Sequence, residues 1–382
     1  MKLLFVSDSF KGSLSSDETA ELLERAAHEV FGPCACSGVP VADGGEGTTE
    51  AVVKAVGGSL CEVAVHGPLT EPVTASYGVL DERRAIIEMA AASGLPMVPS
   101  ELRNPLNTTT YGVGELIAHA LDAGFDEVTV ALGGSATNDG GMGCLRALGV
   151  RFFDEEGAEL AGTGADLERV ARIDTSGLHP RVAQARIVAM CDVDNPLCGP
   201  DGATHTFGPQ KGATPSIEER LECGMCNYRD VIVRDLGVDP DQIAGSGAAG
   251  GLGAALSVFL HAQLKSGIQT VLDLIDFDAR LEGVSLVVTG EGRTDWQSCH
   301  GKVMQGVGER CQAQGVPAIG LCGSLGTGAL QILDHGIESL MVTENAPMTL
   351  EEALGNVREL YLEAAVRMFR LVRVGMRMGS DR

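Results

Sequence analysis

The stretch Val128–Leu148 reads VTVALGGSATNDGGMGCLRAL, and the fold follows from the order of its three parts. An apolar, β-branched run, Val128–Leu132, comes first. Leu132–Gly143 then carries five glycines with Ser135, Thr137, Asn138 and Asp139, and no Lys or Arg. A helix-like segment, Cys144–Leu148, follows. Strand, glycine-rich loop, helix is the repeating step of an α/β protein. Glycine lets the backbone approach a ligand and turn its N–H groups inward, and the next helix adds its positive N-terminus. The segment therefore reads as a polyanion cradle. Asp139 would repel a bare phosphate, so it is expected to cap the helix, hold a divalent cation or orient a neighbour. A plain capped turn is the alternative.

The same step recurs. Apolar runs at Leu3–Ser7, Ala85–Met89, Ile187–Cys191, Leu286–Thr289, Ala318–Cys322 and Leu340–Thr343 are short, rich in Val, Ile and Leu, and separated by helical patterns. That is the signature of buried parallel strands. The first helix is expected over Asp17–Phe31, with Ser15 and Glu18 at capping-box spacing. Most runs lead into polar or glycine-rich clusters: DSFKGSLS, GGSATNDGG, DVDNPLCGPDGA, GEGRTDWQSCHGK and GSLGTG. In open α/β sheets ligands bind outside the carboxyl ends of the strands, so these clusters are expected to assemble a site. Asp230–Gln242 reads as surface, Arg172–Arg181 as a loop, and the arginine-bearing C-terminal stretch as a last helix.

With 382 residues the chain exceeds what one core serves, and two domains are expected. The net charge of −24 argues against nucleic acid and anionic membranes as partners. No apolar run approaches the ~18–20 residues of a membrane span, the N-terminus lacks signal-peptide features, and the cytoplasm is the expected location. The eleven cysteines are scattered, with close pairs at Cys34/Cys36 and Cys223/Cys226. One CxxC does not define a zinc site, so reduced thiols are expected.

Charged residues cluster at the strand ends. DSFKGSLS holds Asp8 and Lys11; PVADGGEGTTEAV holds Asp43 and Glu46; CDVDNPL holds Asp192 and Asp194; GPQKGA holds Gln210 and Lys211. TGEGRTDWQSCHGK adds Glu291, Arg293, Asp295 and Lys302. Carboxylates beside cations and glycines suit phosphoryl transfer: carboxylates hold a metal or accept a proton, and cations and amides hold phosphate. GSGAAGG, Gly245–Gly251, has the spacing G-x-G-x-x-G but lacks the preceding strand of a dinucleotide site. Close helix packing explains it equally well.

Taken in order from residue 7 to about 324, these motifs, with IIEMAAASGL, NPLNTTTYGVGELI and GLCGS, resemble the bacterial type I glycerate kinases. The resemblance implies ATP-dependent phosphorylation of D-glycerate with Mg²⁺, usually at the 2-hydroxyl. It also implies two α/β domains. A Rossmann- or flavodoxin-like parallel sheet is built from both chain ends, expected at residues 1–66 and 284–382. A second α/β domain is inserted at 67–283, with the active site in the cleft. On this reading Asp192 is the first choice of base and Asp43 the second, with Lys11 and Arg293 also catalytic. Nucleotide positions are Gly133, Gly134, Ser135, Asn138, Asp139, Gly247 and Gly250. Substrate positions are Asp8, Lys11, Arg293, Gln210 and Lys211, and metal ligands Asp8 and Asp295. The competing readings are phosphorylation at the 3-hydroxyl or of a related acid, a nicotinamide-dependent oxidoreductase, and a hydroxy-acid sensor without catalysis. Oligomeric state is not readable.

Overall fold

The computed structural model describes residues 1–10 and 12–380; Lys11 lies outside the described residues. The strands of the two main sheets, in chain order, are β1 (Lys2–Ser7), β2 (Ala35–Gly38), β3 (Ser59–His66), β4 (Pro72–Val79), β5 (Arg84–Glu88), β6 (Glu127–Ala131), β7 (Arg186–Met190), β8 (Gln263–Lys265), β9 (Leu286–Gly290), β10 (Ala318–Cys322) and β11 (Ser339–Val342). The chain divides into two compact units, one formed by Met1–Asp43 with Ile268–Arg382 and the other by Gly44–Gly267.

In the discontinuous unit the sheet order is β11-β10-β9-β1-β2, and every pairing is parallel. Numbered within the unit, this is the flavodoxin-like order 2-1-3-4-5, whose direction of winding reverses between β1 and β9. Helix Ser16–Phe31 covers one face. Its capping box is present: Ser15 Oγ accepts from the Glu18 amide, and the Glu18 carboxylate accepts from the Ser15 amide. Helix Val357–Ser380 packs beside it, burying Tyr361, Ala364, Ala365, Met368 and Phe369 against Leu3, Phe5 and Leu23. The C-terminal helix is thus a core element. The second unit carries the order β8-β7-β6-β5-β4-β3. Strands β5 to β8 are parallel, and β3–β4 is an antiparallel hairpin on one edge.

The expected boundaries near 66 and 284 move to 43 and 267. Strand β3 pairs with β4 over eight residues, and helix Thr48–Val56 packs so closely on β4 that a Cβ on Gly78 would lie 2.5 Å from Val53 Cγ2. Both elements therefore belong to the inserted unit. On the return, Ile268 packs on Gly306 of helix Val303–Gln314, in the first unit. Asp230–Gln242, expected at the surface, begins in helix Pro215–Leu236, which buries Val231 and Ile232. Arg172–Asp174 is a short strand paired with Arg151–Phe153.

Candidate functional site

At the reversal point of the five-stranded sheet lies a cavity of about 450 Å³. The loop after β1 supplies Asp8, Ser9 and Ser13. Phe10 and Leu14, 3% and 2% exposed, pin that loop to the core, and Phe10 meets the Tyr361 ring edge-on at 5.3 Å. The Asp8 amide donates to the Gly290 carbonyl at 3.1 Å, holding the ends of β1 and β9 together. The loop after β9 supplies Glu291 and Arg293, that after β10 Gly323 and Ser324, and that after β11 Thr343 and Glu344. Asp43 and Lys302 also face the cavity, and Leu350, Ala353, Leu354 and Val357 form an apolar wall.

The charges here are partly desolvated. Glu291 is 8% exposed and accepts from Thr294 Oγ1 at 3.1 Å. Burial pushes its carboxyl up, against the opposing pull of Ser298, Lys302 and Thr294. Arg293 is exposed and lies 3.6 Å from Asp295. Asp295 itself caps the short helix Trp296–Cys299, accepting from the Gln297 amide at 2.9 Å. It is absent from the cavity's described lining, so its expected role as a metal ligand gives way to capping.

In the inserted unit the exposed surface is shorter than the sequence suggests. The Ala131–Met190 register pairs the ends of β6 and β7. Gly133 and Asp192 each lie two residues beyond. Gly133 is half-buried against Gly44 and Gly45, Gly134 is exposed with φ +77°, and Ser135 is half-buried. Asp192 is exposed, and its Oδ1 accepts from the Gly267 amide at 2.9 Å. The loop is held from below by Ser93–Leu95: the Leu95 amide donates to Gly134 and the Ala136 amide to Ser93.

The remaining cradle residues point inward, which corrects their assignment to a ligand. Asn138 is fully buried, and its amide donates to Thr204 Oγ1 at 3.1 Å. Asp139 is equally buried and accepts four bonds, from the Thr110 amide and hydroxyl at 2.7 and 2.8 Å and from the Gly141 and Gly143 amides. Burial pushes its carboxyl up while those donors oppose the shift. It caps structure, the alternative raised above. Lys211 is 2% exposed; its Nζ donates to the Thr137 carbonyl at 2.7 Å, and burial lowers its pKa to about 7. Lys211 therefore braces the cradle from behind, and exposed Gln210 is no part of that contact. Gly247 and Gly250 are buried. A Cβ on Gly250 would lie 2.1 Å from the Thr137 oxygen, and one on Gly247 2.2 Å from the Pro196 oxygen. GSGAAGG is a packing surface for the cradle.

Two contributions escaped the sequence reading. Glu88, at the end of β5, accepts from the Thr49 amide at 2.6 Å and the Gly47 amide at 3.4 Å, and so fixes the Gly44–Gly47 loop. It stood in IIEMAAASGL among apolar neighbours. The apolar cavity wall follows β11, where the Thr349–Glu352 capping box signals a helix.

A cavity at parallel strand ends, lined by carboxylates and cations within the first unit, defines an α/β enzyme for small anionic ligands. The model of the glycerate kinase family matches residues 3–373. A Bacillus subtilis glycerate kinase is 46% identical, with 96% of each chain covered. An Escherichia coli glycerate 2-kinase is 43% identical, with 99% of each covered. A crystal structure from Salmonella typhimurium LT2, assigned as a glycerate kinase 2, superposes with a TM-score of 0.89 at 45% identity over 99% of each chain. The chain belongs to the glycerate kinase family. It is a kinase acting on glycerate, and among the described residues no helix is long and apolar enough to cross a membrane.

Proposed function

We propose that this kinase transfers the γ-phosphoryl group of ATP to the 2-hydroxyl of D-glycerate, giving 2-phosphoglycerate and ADP. The observation that carries this reading is the cavity at the β1–β9 reversal. Its volume falls in the ~300–1,000 Å³ range of small-molecule sites, far more than glycerate fills. Its apolar wall, Leu350 to Val357, suits a nucleobase, and Arg293 and Lys302 suit phosphates.

Mg²⁺ fits the donor set. The described lining offers the carboxylates of Asp8 and Asp43 and the hydroxyls of Ser9 and Ser13, with no His or Cys. Oxygen donors alone are what a hard cation takes. Asp8 and Asp43 would hold it, and when bound it supplies positive charge against the charge developing on the transferred group.

The acceptor's residues are those of the inserted unit. The segment Gly133–Ser135, exposed at Gly134 and half-buried on either side, is too short to wrap a triphosphate but suits a small carboxylate. Asp192 accepts the proton of the 2-hydroxyl as its oxygen attacks the γ-phosphorus, and the bond from that phosphorus to the ADP oxygen breaks.

The test is an ADP-release assay with D-glycerate, followed by phosphorus NMR of the product. The 2-phospho isomer is expected, and 3-phosphoglycerate would overturn the regiochemistry. Arg293→Ala is expected to raise the KM for ATP about tenfold or more with little change for glycerate. The opposite pattern would exchange the two ligands between the units.

A further inference from the structure

Away from the kinase site, the C-terminal end of helix Ser16–Phe31 and edge strand β2 bring soft donor atoms together. His28 lies in the last helical turn, which Gly32 closes by donating its amide to the His28 carbonyl at 3.0 Å. The chain then turns into Cys34, Ala35 and Cys36, with Cys36 opposite Leu3 of β1. Because Ala35 is extended, Cys34 and Cys36 project to the same face. Their sulfurs are 3.7 Å apart, and a ring nitrogen of His28 lies within 4.8 Å of both. Glu24 stands one helical turn before His28, on the same side. Burial, the Cys34 side chain and the Glu24 charge together push the Cys36 thiol up to about 12.

We propose that His28, Cys34 and Cys36 form a binding site for a thiophilic divalent cation, Zn²⁺ in the first instance, with Glu24 or water in the fourth position. Two thiolates on one tetrahedral zinc, with bonds of ~2.3 Å, stand about 3.8 Å apart, so the sulfurs are already at bridging separation. The His28 ring is held beside the pair, with Nε2 3.2 Å from the Cys34 carbonyl oxygen. A disulfide fits less well. Two residues apart on extended chain, the Cα atoms stand about 6.6 Å from each other, at the long limit for that bond. Nitrogen and sulfur donors select zinc over the hard cation of the kinase site. Binding forms two zinc–sulfur bonds and one zinc–nitrogen bond, releases two thiol protons to solvent, and changes no oxidation state.

The experiment titrates Co²⁺, then Zn²⁺, into the reduced, metal-stripped full chain. A thiolate-to-cobalt charge-transfer band saturating at one equivalent is expected, abolished by Zn²⁺. It should vanish in C34S/C36S, and cobalt affinity should fall at least about tenfold in His28→Ala. Cys198, Glu222 and Cys226 form a second soft cluster, in the inserted unit. There Glu222 Oε1 already accepts from the Gly199 amide at 2.6 Å. C198S/C226S should keep the band. No band in the parent chain, or a band that follows Cys198 and Cys226, overturns the proposal. Glycerate-dependent ADP release reports that the variants fold. Should C34S/C36S not fold, the thermal midpoint decides: Zn²⁺ should raise it less in His28→Ala than in the parent, and an equal rise in both refutes the site.

Discussion

Gly134 and Gly250 sit in segments that look alike in sequence, and both have left-handed backbone, with φ of +77° and +69°. Gly134 is exposed, and the nearest atom to a Cβ placed on it is Ala90 Cβ at 3.3 Å. Gly250 is buried and leaves no room for a Cβ beside the Thr137 oxygen. One glycine leaves its backbone exposed, and the other lets two backbones touch. The difference shows that a glycine-rich motif announces permissive backbone without saying what approaches it. The same contrast separates two acids of the inserted unit: Asp192 is exposed at a strand end, and Asp139 is sealed beneath its loop.

The strongest test of this contrast uses the acids. Asp192→Asn is expected to lower kcat by about 10²–10⁴-fold while the thermal midpoint stays put. Near-normal turnover would remove Asp192 as the base. Asp139→Asn should do the reverse, lowering stability by about 3 kcal/mol in denaturant titration through the loss of charge-assisted bonds. For the glycines, Gly250→Val should destabilise by about 3 kcal/mol or more and reduce soluble yield, whatever substrate is present. Gly134→Val should cost only about 1–2 kcal/mol of backbone strain but raise the KM for glycerate about tenfold. If both valine variants behaved alike, the distinction between open and packed glycine would fail.

The mildest effect concerns Lys211. Its folded pKa of about 7 is depressed from 10.5, so between those values the unfolded chain binds the extra proton. Stability should therefore rise as pH goes from about 7 toward 10.5, and this contribution is lost as pH falls back through 7. Lys211→Met should flatten that rise in chemical denaturation measured across the window. An unchanged slope would mean that Lys211 is charged in the folded chain.

The parallel strands were legible because a strand buried on both faces must be a short apolar run, and Leu3–Ser7, Val128–Leu132 and Leu286–Thr289 are such runs. The β3–β4 hairpin was not, since Ser59–His66 is largely exposed and mixes polar with apolar residues. That omission displaced the domain boundary to residue 66. Residue type and motif position picked out Asp8, Asp43 and Arg293, which line the cavity of the first unit, and Asp192, which is exposed just beyond β7. Burial is a property of packing, so nothing local distinguished Asn138, Asp139 and Lys211 from exposed ligand residues. Asp295 misled because a cap and a metal ligand use the same carboxylate.

The inserted unit begins at Gly44 and ends at Gly267, and a Cβ on the first would lie 3.3 Å from the Cα of the second. A long insertion ordinarily burdens its host with the entropy of closing a loop, a burden that grows with the loop's length. Here the folded insert closes that loop itself. Residues 1–43 and 268–382 are left joined as though by a tight turn, so excising the insert and bridging the gap with a few residues should leave a flavodoxin-like remnant able to fold alone.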